Sequence, residues 1–325
     1  MSWSVAEVGQ LFKLAEDGAI SREELARARQ LHELAPSVAA WRQGADRLFA
    51  FGGVLLLGAA VVFFFAYNWA DLHRFAKLGL AALALAGCVG LGLFTAPAGT
   101  MYRAALLAAC IGTGVLLALV GQIYQTGADV WELFAAWALL MLPFALLARS
   151  SASWALWLAV ANAAAIRAFS QQAWLGWLGA LLARDAVLLV AALNLLVLAV
   201  FESSGERLLA APRRHLPRLA AFGMLAPLAL GGMMGWWERE FLVVTGGFFL
   251  AAGTAAWVYF RLRRDLVILA LALFAAIPVL TSGLARALPD AGGFVAINLV
   301  ALFVIGSSAV AGKWLVRLNR EDAAK

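Results

Sequence analysis

The chain has 325 residues, 64% of them hydrophobic and only 14% charged, where soluble domains average roughly 45–50% apolar and about 25% charged. A water-soluble fold has nowhere to bury that much apolar surface, so the composition excludes one and demands several membrane-crossing segments. The net charge of +6 is no nucleic-acid footprint in such a chain, because Lys and Arg collect in loops that face anionic headgroups.

Residues 1–46 form the one sizeable polar piece. Val5, Val8, Leu11, Phe12 and Leu14 recur close to helical spacing, and Gly18 ends that helix. Ser21 opens a second helix as its N-cap, with Glu24 three residues on as the capping-box partner. Leu25, Ala28, Leu31 and Leu34 make its apolar stripe, and Pro36 closes it. A hairpin this small falls near the lower limit of about 40 residues for independent stability. It is expected to dock on the membrane domain or on a protein partner.

Ten apolar segments follow, near 48–67, 77–96, 104–124, 131–148, 152–168, 185–202, 217–236, 241–260, 265–285 and 292–312. They run continuously apolar, as in "FGGVLLLGAAVVFFFAY", whereas barrel strands alternate polar and apolar over about ten residues. The expected fold is therefore all-α: a polytopic helical membrane bundle of about ten transmembrane helices with a short cytoplasmic helical hairpin at its N-terminus. Three parts are expected: the hairpin (1–46), N-terminal membrane hairpins (47–150) and C-terminal membrane helices (151–325). The stretch 170–184, "SQQAWLGWLGALLAR", has an apolar part too short for a span. With Trp174 and Trp177 it reads as an interfacial or re-entrant segment.

Charge counting orients this layout. With the N-terminus inside, the cytoplasmic segments hold 19 Lys and Arg and the outer loops 6, which together make all 25. Both termini are then cytoplasmic. An eleventh span at 170–184 would put "PRRHLPR" and "RLRR" outside.

The polar groups gather at two outer rims. "GQIYQTGADVWE" follows the third segment and carries Gln122, Tyr124, Gln125, Thr126, Asp129 and Glu132 without a Lys or Arg. Gln122 is a full amide at the end of an apolar helix, where polar groups face protein or water. Asp129 and Glu132 also have capping-box spacing, and Tyr124 suits an aromatic belt. "YNWADLHRFAK" follows the first segment and carries Tyr67, Asn68, Trp69, Asp71, His73, Arg74 and Lys77. The candidate site joins the two rims: Asn68, Trp69, Asp71, Gln122, Tyr124, Gln125, Asp129 and Glu132 around one outward depression, able to take a small polar ligand.

These stretches also carry a family resemblance. "LAEDGAISREEL", "FFFAYNWADLHRFAKL" and "GTGVLLALVGQIYQTGADVW" resemble domain-of-unknown-function family 2157, uncharacterised bacterial multi-pass membrane proteins, over roughly the first 150 residues. The resemblance implies a bacterial inner membrane and assigns no activity.

Elsewhere the sequence offers little chemistry. Cys88 and Cys110 lie in apolar runs and read as packing residues. His32, His73 and His215 are far apart, so no metal set and no Ser-His pair is expected, and no nucleotide-binding motif is placed where it could work. Isolated Asn162, Asn194, Thr245 and Asn298 read as interhelical hydrogen-bonding groups. "GGMMG" sets Gly231 and Gly235 one turn apart, a spacing for close helix contact. No enzyme, cofactor or nucleic-acid partner is expected. The expected function is binding, sensing or scaffolding through the outer polar loops, with the bilayer as constant partner. A small-molecule or lipid transporter is the alternative, favoured by span number and by Pro143, Pro227 and Pro278 inside apolar runs.

Overall fold

The computed structural model describes residues 38–68, 70, 72–97, 99–125, 127–169, 183–210, 214–288 and 293–323, with Ile20, Ser21, Glu23, Glu24 and Arg27. The first expected hairpin helix, Gly18, Pro36, Trp69, Asp71, Thr126 and nearly all of 170–184 lie outside the described residues. Ten long α-helices are seen among the described residues: α1 (Val38–Tyr67), α2 (Arg74–Phe94), α3 (Thr100–Tyr124), α4 (Val130–Ala148), α5 (Ser151–Ala168), α6 (Arg184–Leu208), α7 (His215–Met234), α8 (Leu242–Arg261), α9 (Leu266–Ala287) and α10 (Gly293–Ala323). Among the described residues there is no strand, as expected where backbone polar groups must be satisfied within their own segment.

The chain divides into two compact units, residues 1–61 and 62–325. In the first, the expected capping box is formed. The Ser21 N–H donates to Glu24 Oε2 at 2.8 Å, and the Glu24 N–H donates to Ser21 Oγ at 3.2 Å. The Ser21 backbone donor holds the Glu24 carboxyl below the usual carboxylate range.

In the second unit α7 is central, packing against α5, α6, α8 and α9. Small residues on α7 allow this. Ala220 and Ala221 are wholly buried. A Cβ on Gly223 would meet the Asn194 side-chain amide, and a Cβ on Gly235 would stand 2.6 Å from the Phe241 carbonyl. The expected close contact at "GGMMG" is therefore present: Gly231 faces Val244 and Gly235 faces Thr245 and Phe241. Leu225, Val187, Val244, Phe248, Ile268 and Val279 fill the core around α7.

Nine of the ten described helices are long and apolar enough to cross a membrane. The exception is α5, which carries Ser153, Asn162 and Arg167 in 18 residues. It lies against α3, α4, α6 and α7, so protein covers much of its surface and less hydrophobicity suffices. Asn162 and Asn194 form a reciprocal amide pair there: Asn194 Nδ2 donates to Asn162 Oδ1 at 2.6 Å and to the Val190 carbonyl at 2.8 Å, and Asn162 Nδ2 donates to the Leu158 carbonyl at 2.8 Å. A wholly buried amide needs such partners.

Hydrogen bonds sort the helix ends into two sets. The α4–α5 turn at Arg149 bonds to the end of α6, through Arg149 Nη2 to the Glu206 carbonyl at 2.8 Å and Ala210 N–H to the Arg149 carbonyl at 3.0 Å. The end of α6, the start of α7, the α8–α9 turn and the end of α10 share this basic end, tied by Glu202–Arg263, Asp265–Arg214 and Arg264–Asp322 pairs. At the opposite end Trp237, after α7, donates to Ser282 Oγ late in α9 at 3.0 Å, and Ser282 donates to the Met233 carbonyl at 2.9 Å. α5 starts at the basic end and runs antiparallel to α6, pairing Trp154 with the Leu208 carbonyl near one end and Asn162 with Asn194 further along.

Candidate ligand-binding site

α3 stops at Tyr124 because Gln125 turns into the left-handed region, with φ 46°. That conformation is costly for a residue with a Cβ, and Gly127, at φ 66°, follows it. α4 then begins at Val130 with Asp129 in N-cap geometry (φ −64°, ψ 152°). The expected capping box is not made here. The Glu132 N–H bonds to the Asp129 backbone carbonyl at 3.0 Å, and the Asp129 side chain caps nothing. The carboxylate is thus left for another partner or for water.

The α3–α4 connection borders a depression of about 600 Å³. Gln122, Gln125, Asp129 and Glu132 line it together with apolar Leu117, Ala118, Leu133 and Ala136. Four of the eight expected site residues are therefore brought together. Their side chains make no hydrogen bond or ion pair with the described residues. Tyr124 is exposed and does not line the depression. Asn68 spends its amide on its own helix, donating to the Phe64 carbonyl at 2.9 Å.

A second depression, of about 840 Å³, shares Ala118 and Gln122 with the first. Val62, Phe65 and Ala66 of α1, Ile111, Gly114, Val115, Ala118, Leu119 and Gln122 of α3, and Trp137 of α4 line it. The last turns of α1 thus do border a space reached by Gln122, but through apolar side chains. Trp137 is fixed by its Nε1–H, which donates to the Cys110 carbonyl at 2.7 Å, and by stacking on Phe134. The indole fits because residue 114 is glycine; a Cβ there would overlap the ring.

The basic end holds the other polar concentration. Asp265, with its side chain 1% exposed, accepts from Arg214 Nε at 2.9 Å and Arg218 Nε at 3.1 Å. It also caps α9 through the Val267 N–H at 3.1 Å and the Ile268 N–H at 3.4 Å. Glu202 accepts from Arg214 at 2.9 Å, Arg263 at 2.5 Å and the Tyr259 hydroxyl at 2.8 Å. Burial pushes the Asp265 carboxyl up, but the Arg218 and Arg214 hydrogen bonds outweigh it and hold the group below the usual aspartate range. Each carboxylate here is saturated by donors from neighbouring helices, which is the arrangement of a clamp. The sequence displayed these arginines as loop charges and gave no sign of their acidic partners, which lie 12 to 61 residues away.

Among the described residues no group of three His, Cys, Asp or Glu side chains could hold a metal ion.

These features define a polytopic helical membrane protein in which four polar side chains, unpaired among the described residues, line a depression between two helix ends. Residues 12–154, which include that depression, match the model of domain-of-unknown-function family 2157, described as a predicted membrane protein. No curated protein and no solved structure matches the chain.

Proposed function

We propose that the protein binds a positively charged ligand at the α3–α4 end of the bundle, as a binding or sensing protein of the membrane. One observation carries this reading: Gln122, Gln125, Asp129 and Glu132 line a single depression with their side chains unpaired among the described residues. No Lys or Arg occurs between Arg103 and Arg149, so the two carboxylates meet no cation from their own stretch of chain. Held at the edge of an apolar bundle, they favour a ligand that brings positive charge and N–H donors. The strained Gln125 backbone beside them fits a site, since such strain persists where the surroundings impose it.

The test is thermal unfolding in detergent with ethylammonium chloride as probe. A ligand that binds the folded state raises Tm in proportion to RT ln(1 + [L]/Kd). Wild type should gain Tm over a sodium chloride control of equal ionic strength, and the Asp129→Asn/Glu132→Gln double variant should not. Equal shifts in both proteins, or none in either, would reject the site.

Transport, the second reading, has one feature behind it: Gln122 lines both depressions, so one polar group reaches inward from the rim. Below Gln122 the lining turns apolar at Leu119, Val115 and Ile111. That favours a binding pocket over a polar path.

For orientation we propose the α3–α4 end outside and the basic end in the cytoplasm of a bacterial inner membrane. This rests on the 19-to-6 division of Lys and Arg, and it fits the gathering of the α4–α5, α6–α7 and α8–α9 turns at one end. In intact cells a cysteine at Ala128 should react with a membrane-impermeant thiol reagent, and one at Ser204 should not. The opposite pattern would invert the topology.

A further inference from the structure

The polar depression and the apolar one share Ala118 and Gln122. Those two residues make them neighbours along α3, so one elongated ligand could reach from the first into the second. Gln122, Ala118, Val115, Gly114 and Ile111 recur at helical i, i+3 and i+4 spacing, so they form a single stripe on one face. From Ile111 to Gln122 the stripe is about 16 Å long at 1.5 Å per residue. That is close to half of the roughly 30 Å hydrocarbon core of a bilayer. The two depressions together are thus acidic and amide-rich at their mouth and apolar for the depth of one leaflet.

Extending the ligand-binding reading above, on which this step rests, we infer that the occupant is a single amine-headed membrane lipid. Its ammonium would meet Asp129 and Glu132, while the Gln122 and Gln125 amides can donate to headgroup oxygens. Its chain would lie against Phe65, Val115, Leu119 and Trp137. Three features select this chemistry. The mouth carries two carboxylates and no basic side chain in its own stretch, which disfavours an anionic headgroup. Both depressions are mainly apolar, which disfavours a wholly water-soluble ligand. The apolar floor continues from the mouth without a charged residue among those lining it, as a hydrocarbon chain requires.

The experiment measures binding of lysophosphatidylethanolamine, lysophosphatidylcholine, lysophosphatidylglycerol and ethylammonium to the detergent-purified full chain, by Tm shift and by lipid retention in native mass spectrometry. Wild type should bind lysophosphatidylethanolamine about tenfold or more tighter than ethylammonium, because burying the chain adds apolar area. It should also prefer that lipid over the other two heads. Asp129→Asn/Glu132→Gln should erase the head preference. Val115→Phe, which fills the apolar groove, should remove the gain from the chain while the ethylammonium response persists, and that response also shows that the variant is folded. Equal retention of all three heads by wild type and both variants would mean annular lipid only and overturn the inference. An ethylammonium response with no gain from the chain would also overturn it and leave the simpler cation site standing. No response to any probe would remove both.

Discussion

Replacing Asp265 with Ala should cost about 2–4 kcal/mol, the largest loss expected from one side chain at the basic end. The carboxylate is buried, caps α9 through two backbone N–H groups, and receives Arg214 and Arg218 from the start of α7. Losing an N-cap costs about 0.5–2 kcal/mol, and hydrogen bonds to a charged group contribute about 1.5–3 kcal/mol. The arginine side chains are 37% and 35% exposed, so water compensates part of the loss and the upper sum is not reached. Equilibrium unfolding of the purified protein measures the cost, and a change within about 0.5 kcal/mol, the range of an ordinary surface substitution, would reject the clamp.

The pH dependence follows from the sign of the Asp265 shift. The folded state holds this group below its ordinary value of about 3.9. Its contribution is therefore fully present above the unfolded value and is lost as pH falls through the lower, folded value. The stability difference between wild type and Asp265→Asn should stay constant from pH 8 to pH 5 and shrink only below about pH 4. A difference that fades between pH 7 and pH 5 would mean that the carboxyl is not held ionised by the arginines.

How far the sequence could be read depended on how local each interaction is. Ser21 and Glu24 lie three residues apart, and their box forms as the spacing says. Asp129 and Glu132 have the same spacing, yet the Asp129 side chain caps nothing, because spacing sets what is within reach but does not choose the rotamer. The helices were legible because each is an unbroken apolar run. α5 was legible as a helix, but its weak hydropathy makes sense only once α3, α4, α6 and α7 are seen to flank it. Asn162 and Asn194 could be read as interhelical donors, whereas their pairing with each other could not, since the two are joined through a bundle geometry that no local pattern encodes. The same holds for Asp265. Of the candidate site, the α3–α4 half was visible because its polar residues are consecutive on one helix end and the next. The apolar groove beside it was not visible, because Ile111, Val115 and Leu119 look like any other membrane-facing residues until Trp137 and Phe65 are placed opposite them.

Gly114→Ala is the second large effect, and it connects stability to the groove. The added methyl would overlap the Trp137 indole, with Cδ2 and Cζ2 both at 2.6 Å from the Cβ position. The ring cannot retreat freely. Its Nε1–H is bonded to the Cys110 carbonyl on the same helix as Gly114, and its face stacks on Phe134. Overpacking of this kind costs about 1–3 kcal/mol, and breaking the indole hydrogen bond adds about 1 kcal/mol, so a loss of about 2–4 kcal/mol is expected. A double-mutant cycle isolates the cause. With Trp137→Leu in the background, Gly114→Ala should cost less than about 1 kcal/mol, because the smaller side chain leaves room for the methyl. The coupling should then be about 1–3 kcal/mol, the range for residues in direct contact. If Gly114→Ala costs the same with and without the indole, the glycine serves α3 itself and not the seating of Trp137. In the coupled case Gly114 is the residue that lets the indole form one wall of the groove, and Gly114→Ala should weaken lysophosphatidylethanolamine retention together with stability.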